Sequence, residues 1–264
     1  MIDWIDAGGV ALRYDLTGAG ESTLALVHEM GGTLESWDYV LPDLARGRRV
    51  LRYDTHGAGQ SEKARGNLTF DTMADDLAGL LRALGITGNV ALAGCAVGAG
   101  IALRFATRFP GRAAALVAMS PALGVDADRR EAALARAAQA EREGMRAVVE
   151  QSFAGSYPPV VRDDAERFRK FRARWLANDP ASYAAIYRML AAAAPDRDPP
   201  LIACQTLVIA GTHDLLRPPA VVEPIARAIR GAQYRVLDSG HFMATQTPGA
   251  VATAIGGFLG SVGC

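Results

Sequence analysis

Short runs of β-branched and leucine residues, at 23–27, 49–53, 89–93, 114–118, 206–210 and 234–237, recur along the chain with amphipathic helical patterns between them. Such alternation of strand and helix builds βαβ units and hence a parallel sheet, which excludes all-helical bundles and β-sandwiches. Ahead of these runs, residues 2–7 and 10–16 flank Gly8-Gly9, a two-residue loop suited to the positive φ of a hairpin turn. The pattern therefore predicts eight strands, mostly parallel, with an antiparallel hairpin at the N-terminal edge.

Helix ends are legible between the strands. After Thr69, the residues Met73, Leu77, Leu80, Leu81 and Leu84 form one apolar stripe, and Gly85 stops it. The alternation breaks between Pro121 and Pro200, where helical patterns follow one another without a strand; Asp179-Pro180 opens one of them with a cap residue and a first-turn proline. The expected organisation is a sheet-bearing core from residues 1–120 and 201–264, with 121–200 as a helical lid over the carboxyl edge where parallel sheets bind ligands.

Composition narrows the function. Half of the 264 residues are apolar and 21% are charged, an ordinary globular balance. The 28 basic residues match the 28 acidic ones, which argues against nucleic acid as a partner. The apolar and glycine run at 90–103 falls short of the roughly 20 residues a membrane helix needs. Cys95, Cys204 and Cys264 are odd in number and lack metal-ligand spacing, and the acidic start of the chain does not read as a secretory signal. A cytoplasmic protein acting on a small molecule is expected, as a monomer or a homodimer.

The most informative stretch is Gly94-Cys95-Ala96-Val97-Gly98, where a strand runs into a helix through a turn with glycine on both flanks. This is the G-x-S-x-G nucleophile elbow with alanine at its centre. A dinucleotide fingerprint would need G-x-G-x-x-G after the first strand, and neither register nor position fits.

With these residues the chain resembles the α/β-hydrolase family, in particular small esterases and lactonases of the 3-oxoadipate enol-lactonase type. The resemblance extends over His28-Glu29-Met30-Gly31-Gly32, Asp54-Thr55-His56-Gly57-Ala58-Gly59-Gln60-Ser61, the elbow, Gly211-Thr212-His213-Asp214 and Gly240-His241-Phe242. It implies a catalytic triad of the nucleophile position, here Ala96, with Asp214 as the acid and His241 as the base. It also implies an oxyanion hole from the backbone N–H groups of Met30 and Val97, and no metal or organic cofactor. His28 is expected to orient its loop or to touch substrate, His56 to be a turn residue where the family has arginine, and His213 to lie at the surface. Asp238 is the runner-up for the acid, but its place three residues before His241 suits a turn. Glu29 replaces the usual glycine of its loop and is expected to point away from the oxyanion.

Alanine offers neither a lone pair nor a proton, so this chain cannot run acyl transfer through the usual residue. Three explanations compete: replacement of a serine in an active ester or lactone hydrolase, whether engineered or otherwise recent; a non-catalytic ligand-binding pseudoenzyme; or Cys95 as the nucleophile. The first is the reading adopted, because Asp214 and His241 are both in place. Centring the turn on Cys95 would lose both flanking glycines. C–C bond and amide hydrolysis stay open, since they use the same triad.

Within the lid, 13 basic and 12 acidic residues leave almost no net charge, yet Arg167, Arg169, Lys170, Arg172 and Arg174 crowd one helix opposite Phe168, Phe171 and Trp175. They read either as a solvated face or as the source of an arginine that pairs with a substrate carboxylate. Trp37, Tyr157, Trp175, Tyr183, Met189 and Phe242 are the candidates to line the cavity, with lid core as the competing reading.

Overall fold

The computed structural model describes residues 1–194 and 197–264; residues 195 and 196, inside the stretch expected to form the lid, lie outside the described residues. Strands β1 (Ile2–Asp6) and β2 (Ala11–Thr17) form the expected hairpin, with Asp6 opposite Ala11. Gly8 and Gly9 take φ of 96° and 110°, which an L side chain rarely adopts. The chain continues through β3 (Thr23–Val27), the one-turn helix α1 (Leu41–Leu44), β4 (Arg49–Tyr53), α2 (Phe70–Ala83), β5 (Val90–Cys95), α3 (Val97–Arg108) and β6 (Ala113–Met119). Four helices follow without a strand: α4 (Arg130–Glu143), α5 (Met145–Ser156), α6 (Ala165–Leu176) and α7 (Pro180–Ala192). Strand β7 (Gln205–Gly211), α8 (Pro219–Ala228), β8 (Gln233–Leu237), α9 (Met243–Gln246) and α10 (Pro248–Ser261) complete the order.

The eight strands form one sheet in the order β1-β2-β4-β3-β5-β6-β7-β8. Only the pairings of β2, with β1 and β4, are antiparallel. The expected fold class, an eight-stranded mostly parallel sheet flanked by helices, is the observed one. Strands β5 and β7 run one to two residues further than their apolar runs, because Cys95 still pairs with Met119 and Gly211 with Leu237. The sheet's partners, not local propensity, set those ends.

Helix ends follow the sequence signals. Thr69 caps α2 by accepting the Thr72 N–H at 3.0 Å, and Asp179 caps α7 by accepting that of Ser182 at 2.8 Å. Strand β3 is buried along its whole length, as is β5. A second apolar cluster joins Phe153, Tyr157, Phe171, Trp175 and Tyr183 of the inserted helices to Phe242.

Among the contacts that fasten the inserted helices to the carboxyl edge of the sheet are three hydrogen bonds accepted by backbone carbonyls. Gly155 O accepts the Leu215 N–H at 3.1 Å, Ser156 O accepts the His241 N–H at 3.2 Å, and Asn178 Nδ2 donates to Gly31 O at 2.9 Å. Each contact reaches a loop that follows β7, β8 or β3, where a parallel sheet places its ligand site.

Candidate active site

The sharp turn between β5 and α3 is built by close approach. A Cβ on Gly98 would collide with the carbonyl oxygens of Val27 and His28, and one on Gly94 with the backbone of Gly98 and Ala99. Between them Ala96 sits at φ 52° and ψ −116°, a conformation that costs a non-glycine residue roughly 1–3 kcal/mol. The surroundings hold it there: the Ala96 N–H donates to Met119 O at 2.9 Å, and Ala96 O accepts the N–H of Ala122 at 3.0 Å. Val97 is the first residue of α3, so its N–H has no partner within the helix.

Asp214 and His241 meet across the ends of β7 and β8. His241 Nδ1 lies 2.7 Å from Asp214 Oδ2, and Asp214 Oδ1 accepts the N–H groups of Leu216 and Arg217, both at 2.9 Å. Asp214 is fully buried. Burial alone would raise its pKa, but the His241 ring, the nearby Ser120 hydroxyl and the Arg217 N–H outweigh it and hold the carboxyl below its usual range. An ionised carboxylate only accepts, so the shared proton sits on Nδ1 and Nε2 carries a lone pair. The imidazole can then take a proton from a hydroxyl in front of it. Gly211 permits this meeting, since a Cβ there would press on the carbonyls of Ser239 and Gly240.

The loop after β3 is rigid for reasons the sequence partly gives. His28 is buried with both ring nitrogens engaged, Nδ1 at 2.7 Å from Glu29 O and Nε2 accepting the Thr55 N–H at 3.0 Å. Its substrate-contact reading is therefore corrected: His28 orients the loop. Glu29 accepts the Ser36 hydroxyl at 2.6 Å and packs over Gly32, where a Cβ would not fit. Trp175 covers Gly31 in the same way.

A cavity of about 280 Å³ opens over the elbow, with Met30, Ala96, Val97 and His241 on its floor side. Its walls include Tyr187 and Leu190 from α7, Leu216 after β7, and three arginines, Arg129, Arg136 and Arg217, with Asp126. Arg217 also donates to Gly124 O. Desolvation lowers its pKa, although Asp126 and Asp214 pull the other way.

Several expected lining residues lie elsewhere. Trp37 is wholly buried in the main core, and Tyr157, Trp175, Tyr183 and Phe242 pack in the aromatic cluster of the inserted helices. Burial there pushes the Tyr157 phenol up to about 12. Met189 is core too. Phe242 instead meets the His241 ring edge-on, with centroids 5.3 Å apart. The basic residues of α6 also turn away from the cavity. Arg167 binds the carbonyls of Thr245 and Gln246 at 3.2 and 3.3 Å, Lys170 pairs with Glu166, and Arg172 pairs with Glu150. The arginines that do line it, and Tyr187 one turn beyond Tyr183, went unread in the sequence. None of them stands in a motif: the packing of α4 against α7 aims Arg136 and Tyr187, while Arg129 stands just before α4 and Arg217 in the loop after β7.

The remaining candidates are spoken for. His56 pairs with Asp76 at 3.2 Å, and His213 with Asp238 at 2.7 Å in an exposed pair. The Cys95 thiol is buried and donates to His241 O at 3.2 Å. Burial, with the charges of Glu29 and Asp214, pushes its pKa well above the usual value, so it stays a thiol. Among the described residues, no group of three His, Cys, Asp or Glu side chains is placed to hold a metal ion, and no helix is long and apolar enough to cross a membrane.

The family model described as serine aminopeptidase, S33, matches residues 7–240. Among solved structures, a thermophilic esterase from Thermogutta terrifontis with malate bound is 30% identical, with 99% of each chain covered and a TM-score of 0.91. The enol-lactonase from Burkholderia xenovorans LB400 is 27% identical, with 97% of this chain and 99% of that one covered and a TM-score of 0.92. A curated relative, the 2-hydroxy-6-oxo-2,4-heptadienoate hydrolase of Pseudomonas putida, is 37% identical over 123 residues, 45% of this chain and 44% of that protein. The matches to the first three curated relatives span 30–44% of their lengths.

Proposed function

This chain belongs to the α/β-hydrolase family, and on that premise we propose that its cavity is built to hydrolyse a small ester or lactone, with Ala96 standing in the place of a nucleophilic serine. The observation that carries the reading is the bonded His241–Asp214 pair, which shares one cavity with a strained residue at the elbow centre.

With a serine at position 96, its hydroxyl attacks the carbonyl while His241 Nε2 takes the proton. Asp214 keeps the ring in the right tautomer and stabilises the imidazolium. The N–H groups of Met30 and Val97 hold the oxyanion, each worth about 3–4 kcal/mol of barrier. His241 then protonates the leaving oxygen, and water repeats the sequence on the acyl-enzyme. Alanine at position 96 stops the first step alone and leaves every other part in position.

Arg129, Arg136 and Arg217 in the cavity wall support a substrate that carries a carboxylate. The malate bound to the similar esterase is a carboxylate ligand of that kind. Residues 121–200 act as the lid in this reading, and 1–120 with 201–264 as the core that holds the reacting groups. The match to a dienoate hydrolase favours, as a second reading, C–C bond hydrolysis by the same groups.

The test is Ala96→Ser, assayed with small aryl esters, lactones and dienoate ketones. Turnover of an ester or lactone is expected. A folded variant inert towards all of them would favour a ligand-binding pseudoenzyme, and turnover of the ketones alone would favour the C–C reading.

A further inference from the structure

Building on that reading of the site, we propose that the chain as it stands is itself a hydrolase in which His241 activates water directly on the substrate carbonyl, without a covalent acyl-enzyme.

The cavity wall leaves water as the nucleophile. Cys95 is sealed behind the turn as a protonated thiol. Nearby hydroxyls are committed or turned elsewhere: Ser156 donates to Ser152 O at 2.7 Å, Ser239 accepts from Thr247 at 2.8 Å, and Ser182 accepts the Ala64 N–H at 3.0 Å. Ser120 is buried beside Asp214, outside the cavity lining. Of the cavity side chains, Asp126 and Tyr187 carry oxygen, but both belong to the outer wall and not to the turn that holds Ala96.

The base, by contrast, is complete. Asp214 accepts the hydrogen bond of the Nδ1–H, so His241 keeps its lone pair on Nε2, and the residue lines the cavity. Replacing serine by alanine removes one oxygen at the cavity surface and leaves room there for a water, which needs two or more polar partners. Ala96 and His241 line the same cavity, so Nε2 supplies one such partner and the polar atoms of the bound substrate the other, while the Val97 N–H stays with the oxyanion.

The step balances as simple hydrolysis. Water gives one proton to Nε2 as its oxygen bonds to the carbonyl carbon, and the oxyanion rests on the Met30 and Val97 N–H groups. Collapse breaks the carbon–oxygen bond, and the imidazolium returns the proton to the leaving oxygen. The products are an acid and an alcohol, and no other reactant is consumed. Because the proton comes late to the leaving oxygen, substrates with an enol or phenol leaving group are favoured.

The experiment compares the unmodified chain with His241→Gln, Asp214→Asn and Ala96→Ser on 4-nitrophenyl acetate and the aryl lactone dihydrocoumarin. Unfolding curves for each variant establish that it is folded. The unmodified chain is expected to turn over linearly, with no initial burst, on the order of 10³-fold above buffer. That rate should withstand a fluorophosphonate and fall at least tenfold in both His241→Gln and Asp214→Asn. An unmodified chain at the buffer rate, or one unaffected by His241→Gln or silenced by the fluorophosphonate, overturns the inference. If Ala96→Ser is then active, the acyl-transfer reading of the site survives. An unmodified chain at the buffer rate together with a folded and inert Ala96→Ser variant overturns both.

Discussion

His241 Nδ1 and Asp214 Oδ2 are held 2.7 Å apart by contacts that do not pass through residue 96. Asp214 is fixed by the N–H groups of Leu216 and Arg217, and the His241 backbone by Ser156 at the end of α5. The pair is thus assembled whether or not a nucleophile is present, and substitutions at the elbow can be read separately from substitutions at the pair.

In an Ala96→Ser background, Asp214→Asn is expected to lower kcat by about 10³–10⁴-fold with a much smaller change in KM, because the asparagine amide leaves the ring free to take the wrong tautomer. Steady-state kinetics on an aryl ester check this. A loss confined to KM would mean that Asp214 serves binding.

Gly98→Ala is expected to destabilise the fold by about 2–3 kcal/mol, since its Cβ would meet two backbone carbonyls that cannot move aside. Gly256→Ala, in the interior of α10 with open space around it, should instead be neutral or stabilising by up to about 1 kcal/mol. Urea unfolding of the two variants measures the contrast. Equal effects would remove close approach as the reason for the elbow glycine.

The order of the strands was legible because each apolar run ends in a turn signal, and Ala96, Asp214 and His241 were singled out by the resemblance to α/β-hydrolase motifs that follow strand ends. The cavity wall was not legible. Trp175 and Tyr157 sit at helical spacing whether a helix faces a ligand or another helix, and here they face helices. Arg129 stands just before the mostly polar α4 and Arg136 on it, and the approach of α4 to the cavity depends on its long contact with α7, a tertiary relation that no local pattern encodes. His28 was ambiguous for a similar reason, as its partners Glu29 O and Thr55 N are backbone groups.

The carboxylate proposal predicts that Arg136→Met and Arg217→Met, in the Ala96→Ser background, raise KM for a carboxylated aryl ester by about tenfold or more, in line with loss of a charge-assisted hydrogen bond. KM for the neutral analogue should change little. Arg172→Met should leave both unchanged, because Arg172 pairs with Glu150 away from the cavity. Parallel increases for both esters would assign these arginines to packing.

Acid stability depends on pairs beneath the hairpin edge. Burial tends to raise the Glu35 pKa, but Arg13, 2.6 Å away, and the Thr33 hydroxyl hold it below its usual range. A carboxylate whose folded pKa is depressed contributes stability above its unfolded value, about 4.3, and loses it as pH falls through the folded value. Arg13→Met should therefore be less stable than the unmodified chain at pH 7, with the gap narrowing as pH drops below about 4. Denaturant unfolding at pH 7 and pH 3 measures the gap, and one that widens at low pH would contradict the assignment.

The central claim is that position 96 is the nucleophile's place in an otherwise assembled acyl-transfer site. Intact-mass analysis of Ala96→Ser after exposure to a fluorophosphonate tests it most directly. One adduct per chain is predicted, located by peptide mapping to position 96 and lost when His241→Gln is added. A folded Ala96→Ser chain that stays unlabelled, or carries its adduct elsewhere, would contradict it.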